Sequence, residues 1–217
     1  MRVFAFDSPY WNEVGDEVSE QDLREVVRKA YDEVKAQLPL MSDYVNISIA
    51  PAGSDGVIPE VHVTGITYSD SFLELFFDKA VPCSKEELFR NLRRVIFHEL
   101  THAAMFSRNP WRPGAMFGVI TEGMATVFER DYADWQPFWG IYEDDATMRK
   151  WYEEIKTLPD GSEKDMRYFT HHPDGRRWIV YKTGTWVIDK LLASGETFST
   201  LVTLDWTDIQ DKFEALR

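Results

Sequence analysis

The chain holds a single cysteine, Cys83, among 217 residues, which excludes an intrachain disulfide framework. It also lacks any run of ~18 consecutive apolar residues, the length that a membrane-spanning helix needs. Basic residues are scarce: 24 Lys and Arg stand against 37 Asp and Glu, a formal net charge of −13. Charge of that sign is repelled by phosphate backbones and anionic lipid headgroups, so general nucleic-acid binding and electrostatic membrane docking are not expected. No internal repeat and no low-complexity tract is present. The first residues reach Asp7 before an apolar stretch can develop, so a secretory leader is not expected and a soluble, cytoplasmic protein is.

What is present is the composition of a folded globule, 44% hydrophobic and 28% charged. The patterning predicts an α+β chain. Ser19 opens a helix with acids at Glu20 and Asp22; Leu23, Val26, Val27, Ala30, Val34 and Leu38 recur at helical spacing until Pro39. The period then changes. Val45, Ile47 and Ile49 alternate with polar residues, a loop is expected over 51–56, and Val61–Thr64 and Phe72–Phe77 read as further strands. Ser84-x-x-Glu87 is a capping box, with Cys83 and Leu88 placed as a hydrophobic staple. The helix it opens carries a core stripe of Leu88, Leu92, Ile96, Leu100 and Ala103. Further helices are expected over about 117–132, 144–157 and 178–192, with a last short one capped by Thr207. No linker is long enough to separate independent domains. The expected organisation is one domain over 1–217: a helix by residue 40, a sheet over 45–78, helices over 84–132 and a helical part over 144–217.

The stretch His98-Glu99-Leu100-Thr101-His102 carries the chemistry. Histidines at i and i+4 project from one helix face, a spacing that lets both imidazoles reach one zinc ion. Glu99 points close enough to serve a water molecule but is not aligned as a ligand. The histidine face is distinct from the core stripe, as a ligand face should be. Catalytic zinc takes three protein ligands. Arg108 stands where a metzincin would have its third histidine. The next helix offers Glu122, 20 residues after His102, among Val119, Ile120, Met124 and Ala125. A carboxylate in such apolar company is costly without a cation beside it. Gly123 allows a close approach by another helix or by the metal-bearing backbone.

With Glu122, the His98–His102 motif resembles the thermolysin-like gluzincins. More specifically, the chain is similar to a bacterial domain family of unknown function described as predicted zinc-dependent proteases. His98–His102, Glu122-Gly123-Met124-Ala125 and Tyr181-Lys182-Thr183-Gly184 carry the resemblance, with Asp205-Trp206-Thr207-Asp208 a further similar element. It implies a zincin-like fold: a small mixed sheet, an active-site helix, a glutamate-bearing helix and further helices towards the C-terminus. It also implies zinc as cofactor and a peptide or protein as substrate. Tyr181 becomes the candidate donor to a reaction oxyanion, with His171 and His172 as alternatives and a packed aromatic as the plainer reading. Related proteins often carry an acid four residues after the ligand glutamate, to orient the first histidine. Thr126 occupies that position here, so Glu129 is the candidate for that support. In metalloproteases of this type an edge strand ahead of the zinc helix pairs with the substrate, which points to Phe72–Phe77. Trp135, Phe138, Trp139 and Tyr142 read as a satellite core more than as a cleft, and His62 as structural. Two other functions fit the same motif: a zinc-binding interaction or regulatory domain without catalysis, and a zinc hydrolase of non-peptide amides. Nothing in the sequence names an oligomeric state.

Overall fold

A computed structural model of the chain describes residues 1–5, 18–38, 41–53, 57–78, 84–159 and 166–216. Cys83, and the staple expected of it, lies outside the described residues. The described residues form an α+β protein with a four-stranded mixed sheet and eight α-helices. None of those helices is long and apolar enough to cross a membrane. The chain divides into two compact units, Met1–Ser107 and Arg108–Arg217.

In the first unit, β1 (Arg2–Ala5), β2 (Asn46–Ala52), β3 (Val63–Ser69) and β4 (Phe72–Asp78) pair in the order β1-β2-β4-β3. The pairs β1–β2 and β2–β4 are parallel, and β3–β4 is an antiparallel hairpin. A parallel pair needs a crossover, which α1 (Glu20–Gln37) supplies between β1 and β2. Ser19 caps α1 in a reciprocal box with Asp22, and Leu23, Val27, Ala30, Tyr31 and Val34 are buried along it. Strand alternation sends Ile47, Ile49, Leu73, Leu75 and Phe77 inward, all almost fully buried. Helix α2 (Lys85–Met105) is capped by the Ser84 hydroxyl, which accepts from the Glu87 N–H, and packs on β3, β4 and α1.

Three details differ from the sequence expectations. Strand β2 continues through Pro51 and Ala52, where a loop was expected. There Pro51 and Ala52 stand opposite Phe77 and Asp78 of β4. The Phe72–Phe77 segment is no edge: β4 lies between β2 and β3, and β3 is the edge strand among the described residues. His62 is not in a strand; it precedes β3 in a left-handed turn at φ 58°, with its carbonyl accepting from the Asp78 N–H.

The second unit is helical. Helices α3 (Ala115–Tyr132) and α6 (Ile179–Ala193) form its centre and are buried on most sides. They cross in backbone contact. A Cβ on Gly123 would lie 2.5 Å from the Gly184 carbonyl carbon, and one on Gly184 would meet the Val119 carbonyl oxygen and sit 2.8 Å from the Gly123 Cα. The close approach expected of Gly123 is therefore to another helix, α6. Arg130 ties the same helices together through two 2.9 Å bonds to Asp189. The Tyr142 hydroxyl also donates to Asp189, and burial together with that carboxylate pushes the phenol up to about 12. Around this centre pack α4 (Asp145–Lys156), the single turns α5 (Met166–Phe169) and α7 (Phe198–Leu201), and α8 (Trp206–Glu214). Tyr152, Trp186 and Phe213 meet ring to ring and join α4, α6 and α8. The cap of α8 is Asp205 rather than Thr207: its carboxylate accepts from the Thr207 N–H and hydroxyl. Trp135 and Phe138 each meet Trp139 edge-on, and Phe138 and Trp139 reach Trp178, with Trp139 buried, as expected of a satellite core.

Two predictions follow from these contacts. Gly184→Ala places a methyl group against rigid backbone, and overpacking of this kind costs about 1–3 kcal/mol. Urea denaturation should show that loss, whereas Gly175→Ala, where a Cβ meets nothing within 4 Å but φ is +93°, reports the separate cost of strain. Asp22, at the start of α1, is held down to about 2, first by its hydrogen bond from Lys85 of α2 and then by Ser19. A depressed carboxylate stabilises the fold above its unfolded value and loses that contribution as pH falls towards the folded one. Asp22→Asn should therefore lower the melting temperature at pH 6, and the gap from wild type should close between pH 4 and pH 2.

Candidate functional site

The site is built on the C-terminal half of α2. From Val95 to Leu100 every residue is buried, on a helix that packs against β3, β4 and α1. Two ionisable residues fall in that stretch: His98 is 8% exposed and Glu99 7%. His102, one turn on, is half-buried.

The i, i+4 spacing brings the two histidines together as expected. Their Nε2 atoms lie 3.2 Å apart, and the rings meet at 69° with centroids 4.9 Å apart. Two nitrogens bound to one tetrahedral zinc at ~2.0–2.1 Å would be about 3.3 Å apart. The described separation is close to that of two ligands on one zinc ion. The same separation also suits a neutral imidazole–imidazole hydrogen bond, which metal analysis separates from ligation.

The Glu99 side chain reaches β3. Its Oε2 accepts from the Thr67 hydroxyl at 2.7 Å, and the same hydroxyl lies 2.9 Å from the Glu99 carbonyl oxygen. Beside Thr67, Gly65 leaves the space that the carboxylate fills: a Cβ there would sit 2.7 Å from Glu99 Cδ and 2.8 Å from Oε1. A buried carboxylate needs such a partner, since leaving it without one costs several kcal/mol or forces it to protonate. Neither Thr67 nor Gly65 was singled out by the sequence reading. The available signal was the glycine itself, since a glycine inside a strand marks close approach by another group.

The remaining candidates belong to the second unit. Glu122 is half-buried on α3, next to the glycine of the α3–α6 crossing. Glu129, two turns on, is fully buried, and its Oε1 accepts from the Trp135 indole N–H at 2.8 Å. Tyr181 is half-buried on the first turn of α6, three residues before Gly184, with its ring edge-on to Trp178 and Phe169. The Glu122-Gly123 and Tyr181–Gly184 elements are thus the two halves of one helix crossing. His171 is exposed. His172 is held at the surface, with Nδ1 2.8 Å from Asp174, in a network where Arg176 bridges Asp174 and Glu154. Compared with protein-family models, curated proteins and solved structures, the chain matches none.

Proposed function

We propose that this chain is a zinc-dependent metallopeptidase of gluzincin type, with a zincin-like fold, that hydrolyses a peptide or protein substrate. The observation that carries the proposal is the pair of Nε2 atoms 3.2 Å apart on α2, beside a buried carboxylate on the intervening turn. His98 and His102 hold the metal, and Glu122 is the third ligand. Each carries an atom of a kind that zinc accepts, an imidazole nitrogen or a carboxylate oxygen. Two neutral imidazoles and one carboxylate leave such a site with net positive charge. Zinc bound there supplies a water molecule of pKa lowered towards ~7 and a Lewis acid for the scissile carbonyl.

Glu99 takes a proton from the attacking water and passes it to the leaving amine, acting first as base and then as acid. A carbon–oxygen bond forms, the carbon–nitrogen bond breaks, and no redox partner is required. Tyr181 is assigned to donate its phenolic proton in a hydrogen bond to the oxyanion. The outer edge of β3, the sheet edge among the described residues, offers backbone groups to which an extended peptide can add as a further strand.

Natively purified protein should carry close to one equivalent of zinc. His98→Ala and Glu122→Ala should each lose it, and chelation should lower the melting temperature, because zinc binds the native site. Wild-type protein with no zinc and no affinity for added zinc would overturn the assignment. Glu99→Gln should keep the metal and lose at least ~10²-fold in peptide hydrolysis. Tyr181→Phe should lose ~10²–10³-fold in turnover with little change in KM. Full activity in Glu99→Gln excludes the mechanism; full activity in Tyr181→Phe removes only the tyrosine.

A further inference from the structure

We infer that Thr67 and Gly65 of β3 are positioning residues that clamp Glu99 in its working rotamer, an inference that rests on Glu99 being the general base. Both residues occupy one face of the strand, two apart. Their register partners across the hairpin are Leu75 for Gly65 and Leu73 for Thr67, whose side chains are buried on the face towards α2. The face that covers the helix thus meets Glu99 with one hydroxyl and one vacancy. The vacancy at Gly65 admits the carboxylate, and any side chain there would overlap Cδ and Oε1. The hydroxyl at Thr67 holds Oε2 from the other side at 2.7 Å.

The hydroxyl has one proton and two acceptors in reach, Oε2 and the carbonyl oxygen of Glu99. While Glu99 is a carboxylate, Thr67 donates to Oε2. The bond to Oε2 holds the carboxylate against rotation about its Cγ–Cδ bond. Because β3 is also the edge proposed to receive the substrate, the strand that aligns the peptide is the strand that aligns the base.

The test uses the full zinc-loaded chain, fluorescein-labelled casein as substrate and ¹³C-labelled glutamate as a spectroscopic probe. The Glu99 carboxyl resonance is identified by its loss in Glu99→Gln. Thr67→Val should keep its zinc and its KM but lose ~10–100-fold in kcat, the usual effect of removing a group that orients an active-site residue. The Glu99 resonance should shift. Thr67→Ser keeps the hydroxyl and should restore both readouts. Gly65→Ala should displace Glu99 and lower kcat at least as far. Should Thr67→Val fail to fold, Thr67→Ala takes its place with the same readouts. A hydroxyl that serves only to tie β3 to α2 would cost stability and leave kcat unchanged. Wild-type kcat or an unmoved resonance in the Thr67 variant therefore overturns the inference. Wild-type protein that holds no zinc or cleaves nothing defeats the peptidase reading instead, and the resonance alone then decides whether Glu99 is clamped.

Discussion

The first unit depends on keeping a carboxylate inside it. Glu99 is 7% exposed on a helix turn that also buries His98, and burial of either group without a partner would cost more than a typical core contact returns. The structure meets that cost locally. Thr67 gives a hydroxyl, Gly65 gives room, and the antiparallel hairpin of β3 with β4 holds both in place. That demand accounts for a glycine at position 65 of the strand beside α2, where a side chain would overlap Glu99, and for a hydroxyl at Thr67.

A different constraint governs the second unit. Helices α3 and α6 cross with no side chain between them at Gly123 and Gly184, and nearly everything else packs around that contact. Glu122 and Tyr181 stand next to it, one on each helix. A crossing made of backbone is stiff, because carbonyls cannot change rotamer as side chains do. The Arg130–Asp189 pair and the Tyr142 hydroxyl brace the same two helices further along. Glu129, the candidate to orient a histidine, accepts from the Trp135 indole N–H, a bond that joins α3 to the loop that follows it.

Much of the local structure could be read in advance because it is specified by neighbours in sequence. Ser19 with Asp22, and Ser84 with Glu87, cap helices through bonds that span three residues. The histidine pair belongs to the same class: a 3.6-residue period places residues 98 and 102 on one face whatever the surroundings. The α8 cap was misread by two positions because Asp205 and Thr207 are both competent caps, and the Asn109 side chain settles the choice by accepting from the Trp206 N–H. The edge of the sheet was misassigned for a similar reason. An aromatic strand such as Phe72–Phe77 looks alike at an edge or inside, and only pairing distinguishes them.

Sequence alone determined the elements whose causes are local: the capped helices, the α+β order and two imidazoles converging on one point. Tertiary structure decided which strand lies at the edge, which side chain holds Glu99, and that the glycine after Glu122 meets the glycine after Tyr181. The last two of those outcomes depend on residues 32 or more apart in the chain, as Thr67 is from Glu99. Contacts at such separations leave no periodic trace in the sequence, because they are set by how the packed elements fill space rather than by the geometry of any one of them.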